Sequence, residues 1–397
     1  MNPDTSSSYP ANRALNLGAF LRVMAACWVL GLAMLVFAQF PWLVERVYAQ
    51  GIGAWIALGL SWLTAWYPYS MGELIMLAAY SAVPIGLIVV CVQCLRRRRQ
   101  WGNGLARYGL WFLTIAHVLA VVFYGAWGLN YMRADVFARQ GWERLATGDD
   151  APEAVAELAA LCEELVAATN AAYIAAMGSE DAGEPSTPSL SLREMDAEIE
   201  RALDRMADAQ GMPPGFKGRR GPFKPWLGSW VFTKLGIGGM YFPWTGEAQI
   251  NMLPPWSGRP HTIAHEKAHQ RCITSEAEAN FVGFLGCIYS DDPYVQYSGF
   301  LFAQRQLLGT LARADGDLAR EIAQKRVPGI TRDLEAVRDF WDQHRGPAQT
   351  ASRAFNDAYL RVNRVEGGVQ SYGMSAELLV LLAREQGGSL MPQDPAK

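Results

Sequence analysis

No surplus of positive charge runs through this chain: 35 Lys and Arg stand against 38 Asp and Glu, a net charge of −3. That excludes the broad basic field by which proteins hold nucleic acid. Paired cysteines are missing too. Cys27, Cys91, Cys94, Cys162, Cys272 and Cys287 show no spacing typical of a zinc knuckle or a disulfide scaffold. Cys91-x-x-Cys94 matches a redox spacing, but it closes an apolar run just before four arginines and reads as lipid-facing or packing cysteine. Cys272 and Cys287 could pair only if the domain carrying them lies outside the cytoplasm. Repeats with a period of 20–50 residues are absent, which excludes solenoids and propellers. Histidine is scarce: there are five in 397 residues, and three of them fall between His261 and His269.

Apolar residues are not scarce. They make up 51% of the chain and are concentrated near its start, as in a membrane region joined to an ordinary soluble one. Residues 1–16 are polar and read as a disordered tail without a cleavable signal. Three stretches have the length and apolarity of membrane-spanning helices: 17–44, with a break at Pro41; 74–95, with Pro84 inside; and 108–131, with His117 inside. His117 has no acidic partner in its helix and reads as a hydrogen-bonded packing residue. Residues 51–70, rich in Gly, Trp and Tyr, read as an interfacial segment, with a full fourth span as the alternative. Arg96 to Arg99 and Arg107 lie between the second and third spans. By the positive-inside rule that loop and the N-terminus face the cytoplasm, which puts residues 132–397 outside it.

Beyond Arg133 the composition changes to that of a helical soluble domain. Residues 134–176 are Ala- and Glu-rich and include a stretch of helical period, VAELAALCEELVAATNAAY, and a helix capped by Ser191 follows a Pro-containing loop. Residues 211–228 have no period and carry Lys217, Arg219, Arg220 and Lys224. They read as a solvated loop or, near a bilayer, as a lipid headgroup contact. Residues 237–253 predict a β-hairpin turning at Trp244-Thr245-Gly246, whose edges Met240–Phe242 and Gln249–Asn251 could take an extended peptide. After Pro254, Pro255 and Pro260 a helix carrying His265 begins, a second runs from about Ser275, its plausible cap, to about Ile288, and others follow at about 292–314, 316–347, 350–364 and 373–386.

The chemistry lies in His265-Glu266-x-x-His269. Histidines four apart share one face of a helix and can reach one metal ion, and the Glu after the first can reach a water on that ion. A catalytic zinc takes three protein ligands and keeps one position open. The third comes from downstream: Glu276, in the first turn after the Ser275 cap, is preferred, with Glu278 in reserve. Glu266 is the expected general base. Donors to an oxyanion could be Tyr372, Arg361 or His261.

The run from His265 to Asn280 resembles the pattern of gluzincin-type membrane metallopeptidases. That resemblance implies Glu276 as ligand, with Asn280 behind the ligands orienting a histidine. The six residues between His269 and Glu276 are a short gap for that clan. More narrowly, the chain is similar to an uncharacterised bacterial family of three-span membrane proteins with a His-Glu-x-x-His domain. The matching stretches are Trp127–Arg133, Pro243–Asn251, His265–Asn280, and Asn356–Leu360 to Tyr372.

The expectation is therefore a mainly α protein: N-terminal transmembrane helices over 17–131, then an α-rich zincin-like domain with a short β-hairpin over 132–397. Its ligands to Zn2+ are His265, His269 and Glu276, its catalytic residues Glu266 and Tyr372, and its supporting residues Asn280 and His261. Its partners are the lipid bilayer of a bacterial inner membrane and a peptide or envelope-protein substrate. The rival readings are a non-catalytic zinc-binding sensor or scaffold, and a structural membrane protein.

Overall fold

A computed structural model describes residues 17–96, 101–145, 152–363 and 374–392. The expected tail, Arg97 to Arg99 and Tyr372 lie outside the described residues. In chain order the helices are α1 (Leu17–Phe37), α2 (Pro41–Leu43), α3 (Gly53–Ala65), α4 (Met71–Arg96), α5 (Trp101–Ala126), α6 (Val136–Gln140), α7 (Pro152–Met177), α8 (Leu192–Ala209), α9 (Ser229–Leu235), α10 (Arg259–His269), α11 (Glu276–Ile288), α12 (Pro293–Ala314), α13 (Gly316–Ala323), α14 (Pro328–Gln343), α15 (Pro347–Val362) and α16 (Met374–Glu385). The strands are β1 (Lys224–Pro225), β2 (Gly239–Phe242) and β3 (Glu247–Ile250).

The chain divides into two compact units. The smaller holds α1, most of α4, and α5. These helices have 21, 26 and 26 residues, enough for a hydrocarbon core that needs about 20. Their apolar side chains face outward, Leu30, Leu32, Leu77, Ile88 and Leu119 among them. Within this unit Phe20 meets Trp111 edge-on at 5.1 Å. The ring of His117 lies 5.8 Å from Trp28, and its Nδ1 is 2.8 Å from the Leu113 carbonyl. His117 is thus a hydrogen-bonded packing residue.

The larger unit comprises 38–74 and 126–397, so the division is not a single cut at residue 131. The third apolar helix stops at Ala126, and Gly128–Met132 forms a 3₁₀ turn that belongs to the larger unit. Residues 51–70 hold no single α-helix of 18 residues or more. After a π-helical stretch (Val44–Ile52), α3 runs for only 13 residues and buries Ala54, Ala57, Ser61 and Thr64. Its small face lets backbones meet. The Gly221 N–H donates to Ser61 Oγ at 3.2 Å. Gly246 (φ +67°) closes the hairpin where a Cβ would fall 2.7 Å from the Ser61 nitrogen.

The core packs α7, α8, α10, α11, α12 and α16 around Leu165, Leu203, Phe284, Tyr297 and Leu379. α7 is also long and apolar enough to cross a membrane. It nevertheless buries Leu161, Cys162, Leu165, Val166, Thr169, Ala172 and Tyr173 inside this unit. The cap at Ser191 is a full capping box with Glu194. The helix expected over 316–347 is broken before Pro328, whose ring cannot continue the preceding turn.

The hairpin forms as β2 and β3, antiparallel with Met240 opposite Gln249. The order is β1-β3-β2, because Lys224 and Pro225 pair in parallel with Gln249 and Ile250. Gln249–Asn251 is therefore no free edge, contrary to expectation: β1 covers it. Of the hairpin's two strands, β2 is the one at an edge of the sheet. Cys272 and Cys287 are free. Cys272 packs with Ala54 and Ala57, and Cys287 lies in the main core, so the two do not pair.

Candidate metal centre

The motif helix α10 is fixed first by its rear face. Lys267 and Arg271, four apart, are fully buried. Lys267 Nζ lies 2.9 Å from Asp196 and 2.7 Å from Glu200, and Arg271 lies 2.9 Å from Glu200. Asp196 and Glu200 are four apart on α8, so two matched ladders of opposite charge lock α8 to α10. Burial pushes the Glu200 carboxyl up, but the charges of Arg271 and Lys267 outweigh it and hold the group at about 2.

The front face carries His265 and His269. Beyond His269 the chain turns through Cys272, a non-glycine residue at φ +65°. Arg133 clamps that turn: it donates to the Cys272 carbonyl at 2.7 Å while pairing with Glu45 at 2.6 Å. Thr274 donates to the Asn130 carbonyl at 3.2 Å. The tight turn makes the six-residue gap long enough. Ser275 caps α11 by accepting from the Glu278 N–H, and Glu276 in the first turn swings back to the two histidines.

Three ligand-type atoms converge there. His265 Nε2 and His269 Nε2 are 3.1 Å apart, and Glu276 Oε2 lies 3.2 and 3.8 Å from them. Tetrahedral zinc with bonds of about 2.0–2.1 Å would space its ligands by about 3.3 Å. The remote ring nitrogens are engaged. His269 Nδ1 is 2.6 Å from the Ile273 carbonyl, which can only accept, so this nitrogen carries a proton. His265 Nδ1 is 2.9 Å from Asn280 Oδ1. Both Nε2 lone pairs and the carboxylate thus face one point, a set that calls for a cation. Burial disfavours a charged His269, yet Glu276 outweighs it and lifts the imidazole to about 9, so a metal would take its place at Nε2 by displacing a proton. Burial likewise pushes Glu276 up, but His265 and His269 hold it below the usual carboxylate range. The residues fit a divalent metal held by two imidazoles and one carboxylate.

Glu278 is turned away and pairs with Arg139 at 2.5 Å. His261 stacks on Phe302 at 3.8 Å, with Nε2 3.1 Å from the Asn280 carbonyl. It braces Asn280 and is not among the three converging ligand-type residues. Arg361 is exposed and pairs with Asp357 at 2.7 Å. Glu266 is buried beside β2: it accepts the Tyr241 N–H, and its Oε2 has no partner. Burial raises its carboxyl above the ordinary value. Only glycine fits at 239, where a Cβ would come within 2.6 Å of Glu266 Oε1.

An aromatic wall stands on one side that motif reading did not assign. Trp127 lies 6.1 Å from His269 and 5.3 Å from Tyr241, and Tyr131 follows, bonded through its hydroxyl to Tyr359 at 3.1 Å. Residues 48–380 match the family described as "Protein of unknown function (DUF3810)". The chain belongs to the DUF3810 family. No curated protein and no solved structure matches it. In this DUF3810 protein the matched region takes in the histidines, Glu276, the 127–133 clamp and the hairpin, so the whole centre lies within it.

Proposed function

We propose that the protein is a membrane-anchored, zinc-dependent peptidase whose metal is held by His265, His269 and Glu276. The observation that carries this reading is the convergence of two imidazole lone pairs and a carboxylate, with the remote nitrogens occupied. When bound, zinc would acidify a water and polarise the carbonyl under attack. Glu266 is placed to take a proton through its unpartnered Oε2 and hand it to the departing amine. Tyr241 and Gly239 fix that carboxyl against the edge strand. An extended peptide added along β2 is the substrate this arrangement favours.

For location we propose a bacterial inner membrane, crossed by α1, α4 and α5, with the larger unit outside the cytoplasm. Two facts support it. The arginine-rich loop joins α4 to α5. The segment between α1 and α4 folds with the chain after α5, so both must lie on one side of a bilayer. The helical run from Pro41 to Ala65 carries Glu45 and Arg46 and buries Val44, Tyr48, Ala54, Ala57 and Ser61, which disfavours it as the fourth span that would break this symmetry.

The test is Glu266→Gln in the purified full-length chain. It should retain zinc, lose peptide turnover by at least about 100-fold, and trap bound peptide for identification. Unchanged turnover would remove Glu266 as the base. A second reading, a non-catalytic zinc sensor, draws on the near-complete burial of His265 and His269, 8% and 7% exposed, since closed zinc sites are usually structural. It predicts zinc without turnover in the unmodified chain.

A further inference from the structure

The edge strand β2 ends against the first turn of α4. Residues 71–74 of that helix belong to the larger unit, and the same helix then continues to Arg96 as one of the apolar helices. Glu247, opposite Phe242 at the end of the strand, is buried and accepts the N–H groups of Met71 at 2.9 Å and Gly72 at 2.7 Å. Gly72 lies so close that a Cβ there would fall 2.6 Å from the Phe242 ring. The end of the strand and the start of the helix thus form one packed joint inside the larger unit.

The chemistry sits a short way along the same strand. The Gly238 carbonyl accepts the Asn251 N–H across the hairpin, so by alternation the amides of Gly239 and Tyr241 face away from β3. Glu266 lies on that side, against Gly239 and the Tyr241 N–H. From Gly239 to Phe242 is about 10 Å of strand. A helix rises about 1.5 Å per residue, so Ile75, where α4 enters the apolar unit, is only about 4.5 Å of helix beyond Gly72.

The side chains around the joint have the character of a membrane interface. Glu73 accepts the Leu227 N–H at 3.0 Å and the Gly228 N–H at 2.7 Å, which holds the Leu227–Trp230 stretch beside the first turn of α4. Leu227 and Trp230 are exposed, as are Trp66 and Tyr69 just before the helix. Tryptophan and tyrosine at the end of a span favour the headgroup region. A peptide paired along β2, in either direction, therefore has one end at the start of a span. We infer that the substrate is the extracytoplasmic stem of a protein itself anchored in the bilayer, cut within about ten residues of its anchor, since an extended chain covers about 3.3 Å per residue. The inference rests on the peptidase and membrane readings above and adds the substrate class to them.

The experiment places the full-length chain, supplied with zinc, in vesicles of phosphatidylethanolamine and phosphatidylglycerol with three peptide sets. Each set carries a randomised stretch of about twelve residues, joined directly to a leucine-rich transmembrane helix, joined to it through a Gly-Ser spacer of about 20 residues, or left free. Mass spectrometry reads the cut positions. The directly joined set should be cut at least about tenfold faster than the other two, with cuts clustered within about ten residues of the anchor. Binding is read without turnover in the Glu266→Gln chain that also carries Trp244→p-benzoylphenylalanine, beside Phe242 at the end of the strand. Light should crosslink it to the anchor-proximal residues of the directly joined set. Equal cutting of the spaced or free set, cuts spread evenly along the stretch, or crosslinks confined to anchor-distal residues would overturn the inference and leave the peptidase reading standing. A chain that binds zinc and cuts none of the three sets would refute the peptidase reading, and the inference with it.

Discussion

Asn280 and the Ile273 carbonyl decide what the two histidines can do. By holding Nδ1 of each ring they leave Nε2 as the only free lone pair. Asn280→Ala should therefore weaken metal affinity about 10- to 100-fold while leaving the ligands in place, as measured by chelator competition. The two acids of the first turn of α11 separate by the same logic. Glu276→Gln should lose the metal. Glu278→Gln should keep it and instead release Arg139, lowering the melting temperature. Metal loss in the Glu278 variant alone would reverse the ligand assignment. Both acids sit next to the Ser275 cap, so spacing alone does not choose between them; the approach of Glu276 to the two histidines and the pairing of Glu278 with Arg139, 139 residues away in sequence, favour Glu276.

Between elements, a buried ladder of charges joins α8 to α10 and the turn after it. Glu200→Gln leaves Lys267 and Arg271 without their shared carboxylate and should cost about 3–5 kcal/mol, measured by denaturant unfolding of the larger unit's fluorescence. The same network fixes the acid limit. At Glu198, burial is outweighed by hydrogen bonds from the Asp291 N–H, Ser290, Arg201 and Arg205. Glu198 and Glu200 both sit at about 2, against an ordinary 4.5. A depressed carboxyl stabilises the fold fully above its unfolded value. Stability should thus hold above about pH 4.5 and fall progressively towards pH 2, with a shallower acid slope in Glu198→Gln. Much at this scale was legible in the sequence. The capping residues Ser191 and Ser275, the hairpin around Thr245-Gly246 and the helix over 276–288 follow from local chemistry. The β1 strand does not, because Lys224-Pro225 has no strand character of its own and forms only against Ile250. The end of α5 was missed because Trp127 and Leu129 are as apolar as the helix before them, although they belong to the other unit.

For the whole molecule, the folding together of 38–74 with 126–397 sets a topological requirement. Reporters inserted between α1 and α4 and fused after residue 397 should give the same extracytoplasmic signal; opposite signals would refute three spans. The family match covers both stretches of the larger unit between residues 48 and 380 and leaves the chemistry to the site itself. That chemistry stands or falls with the metal. Elemental analysis of the purified full-length chain should find about one zinc per protein, retained in Glu266→Gln and lost in His265→Ala and Glu276→Gln. A folded, unmodified chain that binds no divalent metal even when zinc is supplied would contradict the account.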